Sequence, residues 1–175
     1  MGNLHSRVHP RQKQHDYSSN GAYFITFCVK DKHEILCELV GRDAPGAPLM
    51  VLSENGILLR NEIMETPSHY HGVSIDNFAI MPNHVHLIIN INRESGAPSA
   101  SRPTNALIPT IMAMLKKKTN KAAGFDLWQD GYYDIIISSK EEYRQISKYI
   151  DENPIKWTED EFNVNRTAMK CEVVV

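Results

Sequence analysis

Apolar positions along the chain switch between a period near two and a period near 3.6, and the switches divide it into seven elements. Ala22 to Val29 is β-branched and aromatic and follows the turn-rich run Asp16-Tyr17-Ser18-Ser19-Asn20-Gly21, which predicts a first strand. Ser53 can cap a helix running to about Glu65, with Ile57, Leu59 and Ile63 at partial helical spacing. Val73 to Ile80 predicts a second strand. Met81-Pro82-Asn83 joins it to a third, His84 to Ile91, and so short a connection implies an antiparallel pair. Thr104 to Ala122 reads as a helix with Ile108, Ile111, Met112 and Leu115 on one side. Tyr132 to Ile137 is a fourth strand. Ser139-Lys140-Glu141-Glu142 is a capping box opening a last helix that stops at Asn153-Pro154.

The order β-α-β-β-α-β-α predicts an α+β domain. It is a ferredoxin-like or RRM-like βαββαβ antiparallel sheet, with helices on one face and an additional C-terminal helix that bears Tyr149. The expected boundaries are an N-terminal arm over 1–20, one domain over 21–157 and a C-terminal tail over 158–175. Gly41 to Pro48 and Arg93 to Pro103 are rich in Gly and Pro and share a Gly-Ala-Pro triplet; they read as tolerated surface loops.

Within the third strand, Val85, Leu87, Ile89 and Ile91 form one apolar row, while His84 and His86 alternate to the other face. Residues i and i+2 of a strand lie about 7 Å apart at the backbone, so both imidazoles can converge on one metal ion. An isolated His-x-His is more often a pair of semi-buried, hydrogen-bonded histidines. His69-Tyr70-His71 is of that kind, because no apolar alternation surrounds it. The last helix carries Tyr149 and Asn153 at i,i+4 on one face, beside a Tyr143, Ile146 and Ile150 stripe that can hold the helix against the sheet.

Composition is that of an ordinary globular protein of 175 residues, and no apolar run approaches a membrane span. The polar N-terminus carries Arg7, Arg11 and Lys13 without an apolar stretch, unlike a secretory signal. Three cysteines without paired spacing fit a reducing cytoplasm and argue against a zinc–cysteine site. The formal charge of −2 does not announce a nucleic-acid partner. Its distribution says more: Lys116, Lys117, Lys118 and Lys121 crowd the end of the second helix, while acids gather near the C-terminus. Those lysines suit either phosphate contact or the helix macrodipole.

Taken together, Asn20-Gly21-Ala22-Tyr23-Phe24-Ile25-Thr26, Met81-Pro82-Asn83-His84-Val85-His86, Trp128-Gln129-Asp130-Gly131-Tyr132-Tyr133-Asp134 and Tyr149 to Trp157 resemble the single-tyrosine HUH transposases. Within that family the chain most resembles the REP-associated tyrosine transposases. The resemblance runs over roughly residues 7 to 157, with the elements in the same order. It implies an HUH endonuclease fold and a metal-dependent single-stranded DNA endonuclease and strand transferase, acting at hairpin-forming ends. It also implies His84 and His86 as metal ligands with Asn153 as the third, Tyr149 as nucleophile, and Mg²⁺ or Mn²⁺ as cofactor. Single-stranded DNA with hairpins is the implied partner and a homodimer is compatible; no membrane partner and a cytoplasmic location are expected. Arg7, Arg11, Lys13, Lys116, Lys117, Lys118 and Lys121 are then candidates for phosphate contacts. One departure stands out: the family often has Glu-His-Ile where this chain has Asp134-Ile135-Ile136.

Two other readings of the residues remain. A non-catalytic nucleic-acid-binding module on the same sheet leaves the His84, His86, Tyr149 and Asn153 grouping without purpose. A metallohydrolase using water leaves Tyr149 unexplained and lacks an obvious carboxylate base.

Overall fold

The computed structural model describes residues 15–42, 48–93 and 107–164. Four strands form an antiparallel sheet in the order β4-β5-β1-β6, comprising β1 (Gly21–Cys28), β4 (Val73–Ile80), β5 (His84–Ile91) and β6 (Tyr133–Ile137). With helices α1 (Glu54–His69) and α2 (Leu107–Ala123) between the strands, this is the expected βαββαβ fold, followed by α3 (Lys140–Glu152). Among the described residues no helix is long and apolar enough to cross a membrane.

The two faces of the sheet are filled differently. Val85, Leu87, Ile89 and Ile91 of β5 join Tyr23, Ile25 and Phe27 of β1 in a large cluster with Leu59 and Ile63 of α1 and Ile108, Ile111, Met112 and Leu115 of α2. On the other face, Phe24, Ala79, Met81 and Ile88 meet Ile146 and Ile150 of α3 and the buried Trp157. The alternation along β5 therefore serves both layers.

The second face also has polar clamps. A bulge in β4 between Ile75 and Asn77 leaves Asp76 as an extra residue against β5. Asn77 donates to the Ser147 carbonyl and hydroxyl and to Asp151, and the Tyr143 hydroxyl donates to Asp76 at 3.0 Å. These bonds fix α3 along the sheet. Its N-terminus is capped by Ser139, whose hydroxyl accepts from the Glu142 amide. Glu142 reaches back one residue further than in the usual box, to the amide and hydroxyl of Ser138.

Two strands between β1 and α1 do not follow from the local pattern. Cys37–Arg42 (β2) and Pro48–Leu52 (β3) pair as a separate two-stranded ribbon, so strand structure extends into both ends of the segment expected to be a loop. The ribbon leads to Ser53, whose hydroxyl caps α1 through the Gly56 amide and donates to the Ile35 and Leu36 carbonyls. Gly56 is required here, since a Cβ would sit 2.0 Å from the Leu36 oxygen. The Leu36 amide in turn bonds the Pro82 carbonyl at 3.0 Å, and the Val29 amide bonds the Asn83 carbonyl at 2.8 Å. The start of α1 and the end of β1 thus hold the turn that launches His84.

Candidate metal and nucleophile site

His84 and His86 open β5, opposite Cys28 and Thr26 of β1. Both are fully buried on the α3 face, with ring centroids 4.6 Å apart. Their Nε2 atoms approach to 3.0 Å. His69, the last residue of α1, and His71 just after it are by contrast exposed, with His69 facing Lys118.

Hydrogen bonds dictate which nitrogens face each other. The Asn83 Nδ2 donates to two backbone carbonyls, Lys32 at 3.3 Å and Phe162 at 2.8 Å, which turns Oδ1 toward His84. The His84 Nδ1 lies 2.9 Å from that oxygen and must carry the proton, leaving an Nε2 lone pair directed into the site. His86 Nδ1 lies 2.7 Å from the Thr26 hydroxyl, which can donate or accept. When the hydroxyl donates, a proton on His86 Nε2 bridges the two rings and the pair is satisfied internally. When it accepts, two lone pairs meet at 3.0 Å, an arrangement that a shared cation stabilises. Both rings are packed in place: Phe24 stacks on His86 at 5.4 Å, and Phe162 lies 4.5 Å from His84.

The Tyr149 hydroxyl sits 3.5 Å from His86 Nε2, the same nitrogen that faces His84. Ile146 and Ile150 bury as the stripe predicted, and they set the half-buried Tyr149 edge-on to Phe24. Burial, with Asp160 and Glu161 nearby, pushes the phenol well above its ordinary range, and the Asn153 amide pulls it partway back. Asn153 is itself buried, and its Nδ2 meets no hydrogen-bond partner at ordinary geometry.

Three residues of the site were missed as participants. Thr26 and Asn83 lie within the quoted stretches, but only the strand register and the bonds of the turn give them roles. The third is Asp160, buried beyond the last helix. A carboxylate oxygen of Asp160 and one nitrogen each of His84 and His86 all lie within 4.8 Å of one another. Its only sequence signal was an acidic C-terminal stretch. The donor set of two imidazoles and a carboxylate, with the His84 lone pair directed inward, fits a divalent cation.

The lysines divide. Lys116 turns inward, donating to the Gln129 and Gly131 carbonyls, and lies over the Phe27 ring; burial lowers its ammonium to about 8. Lys118 pairs with Glu62 at 2.8 Å. Lys117 and Lys121 are exposed. Arg7, Arg11 and Lys13 lie outside the described residues. Ile135 packs on the site face, paired across β1 with Phe24.

The family described as "Transposase IS200 like" matches residues 17–153. An uncharacterized protein of Haemophilus influenzae is 31% identical over 178 residues, taking in 93% of this chain and 96% of that one. ISDra2 transposase TnpA of Deinococcus radiodurans is 25% identical over 130 residues, 74% of this chain and 81% of that one. Among solved structures, a REP-associated tyrosine transposase bound to a REP hairpin superposes with a TM-score of 0.56 at 18% identity. The superposition covers 87% of this chain and 81% of that one, a likeness of fold.

Proposed function

Because this chain belongs to the IS200-like transposase family, we propose that it cuts and rejoins single-stranded DNA at hairpin-forming sequences through a covalent bond to Tyr149. The observation that carries this reading is the Tyr149 hydroxyl 3.5 Å from His86 Nε2, beside a second imidazole nitrogen directed into the same space. Hairpin DNA as partner draws on the structural neighbour, which is bound to a REP hairpin.

Tyr149 Oη attacks the scissile phosphorus, the bond to the 3′ oxygen breaks, the phenol proton leaves and the 3′ oxygen gains one. The products are a 5′-phosphotyrosine and a free 3′-OH. Since the phosphodiester energy is kept in the tyrosyl ester, another 3′-OH can reverse the step and join a different strand. His84 and His86, with Asn153 as the third ligand, would hold a divalent ion, Mg²⁺ or Mn²⁺. When bound, that ion supplies Lewis acidity to the phosphate and favours phenolate over the phenol that burial otherwise maintains. Asn83 and Thr26 orient the imidazoles, and Phe24 fixes both His86 and the tyrosine ring. Lys117 and Lys121 contact backbone phosphates, along with Arg7, Arg11 and Lys13 of the arm; Lys116 and Lys118 act by holding the loop before β6 and the flank of α1.

The test is a labelled single-stranded hairpin incubated with Mn²⁺ or Mg²⁺ and resolved on a denaturing gel. Wild type should give a covalent protein–DNA band. Cleavage by Tyr149→Phe would make water the nucleophile. A second reading, a hairpin-binding protein without catalysis, is favoured by Ile135, an apolar residue packed on the site face. Tight hairpin binding by wild type with no adduct under either metal would establish it.

A further inference from the structure

Beyond α3 the chain does not leave the site. Asn153 and Glu152 carbonyls receive the Lys156 amide, a 3-10 turn covers Trp157–Glu159, and Trp157 buries in the second apolar cluster. The Asp160 amide bonds the Trp157 carbonyl at 3.1 Å, and Asn163 bonds back to both, through its amide to Asp160 and its Nδ2 to Trp157. The Phe162 amide donates to Asp160 Oδ1 at 2.7 Å, and the Phe162 carbonyl takes the Asn83 bond described above. This network of bonds holds the buried Asp160 beside the two imidazoles, with all three ligand atoms inside 4.8 Å.

We propose that Asp160 is a protein ligand of the divalent ion held by His84 and His86. The inference rests on the metal-dependent reading of the site, and it adds a ligand from outside the stretch matched to the family, which ends at residue 153. Two imidazoles and an amide oxygen would leave a divalent charge uncompensated in a buried place. A carboxylate neutralises half of it and supplies the hard oxygen donor that Mn²⁺ and Mg²⁺ favour. The ligand also ties two parts of the molecule together: ion occupancy and the placement of residues 157–164 become one equilibrium.

Asp160→Asn is the discriminating variant, because an Asn side-chain oxygen still accepts from the Phe162 amide and keeps the turn. Mn²⁺ binding to the full chain, without DNA, is followed by the electron paramagnetic resonance of free Mn²⁺. Asp160→Asn should bind at least about tenfold more weakly than wild type, in the range seen when a metal site loses a supporting group, and Asp160→Glu should recover part of the loss. His84→Ala is the control for the centre itself. Wild-type affinity in Asp160→Asn, with loss in His84→Ala, overturns the Asp160 assignment and leaves the metal centre standing. No Mn²⁺ binding by wild type overturns both. A second measurement needs no variant: Mn²⁺ should slow hydrogen exchange of the amides of residues 160–163 in the wild-type chain, and unchanged exchange with Mn²⁺ bound overturns the assignment.

Discussion

The two faces of the sheet share every strand yet are built on different physics. Toward α1 and α2 the sheet presents an apolar layer in which Leu59, Ile63, Ile108 and Ile111 are essentially inaccessible to water. Toward α3 it presents a much smaller apolar cluster around two imidazoles, with the helix pinned by Asn77 and Tyr143. Burial of apolar area is non-directional and tolerates sliding. Hydrogen bonds from fixed backbone positions do not. The first face supplies most of the stability, and the second trades burial for placement, as expected where chemistry must be held to fractions of an ångström.

The contrast can be broken from either side. The largest effect is expected on the α3 face: Tyr149→Phe should abolish the covalent DNA adduct on a denaturing gel while the melting temperature stays within about 2 °C, because only an oxygen is removed. On the opposite face, Ile63→Ala should cost about 2–5 kcal/mol in denaturant unfolding, through lost transfer energy and a cavity between α1 and the sheet. Adduct formation per folded molecule should persist. A variant of Ile63 that lost adduct while remaining folded would dissolve the division of labour.

Asn83→Ala lies between these extremes. It strips the His84 Nδ1 of its acceptor and leaves the Lys32 and Phe162 carbonyls without this donor. Mn²⁺ affinity should fall by about 10–100-fold, with a stability loss on the order of 1–3 kcal/mol, read by titration and by chemical denaturation of the same sample. Smallest of all, Lys117→Ala with Lys121→Ala should leave folding alone. The double variant should flatten the salt dependence of single-strand binding by about 0.7 in the log–log slope for each phosphate that is no longer neutralised. An unchanged slope would make both lysines ordinary solvated residues at a helix end.

Much of this was legible in the chain because strong periodicity survives folding. Val73–Ile80 and His84–Ile91 fell where the alternation put them, and Ser53 and Ser139 cap the helices they were expected to open. The β2–β3 ribbon was hidden because Gly41 and Pro48 are loop-forming residues by local preference, and pairing across the ribbon overrides that preference. Thr26 carries no signal of its own. Its role exists only because β1 lies beside β5 with Thr26 opposite His86, a register that no local window contains. Asp160 was hidden for a similar reason: nothing in Glu159-Asp160-Glu161 says which acid is turned inward by the 3-10 turn.

The extra residue in β4 bears on how Tyr149 is aimed. Perfect alternation would send Asp76 and Asn77 to opposite faces, but the bulge lets both reach α3, Asp76 to Tyr143 and Asn77 to Ser147 and Asp151. Tyr143, Ser147 and Asp151 recur every four residues, so they form a line along one flank of the helix. At about 100° per residue, Tyr149 projects roughly 160° around the helix from Ser147, on the far flank beyond Ile146 and Ile150. The bulge therefore works as an azimuth stop. It sets the roll of the helix about its own axis, and a roll of one residue would present Lys148 or Ile150 to His86 in place of the phenol. Substitutions at Asp76 or Asn77 can thus detune the aim of Tyr149 from a strand far upstream in the chain.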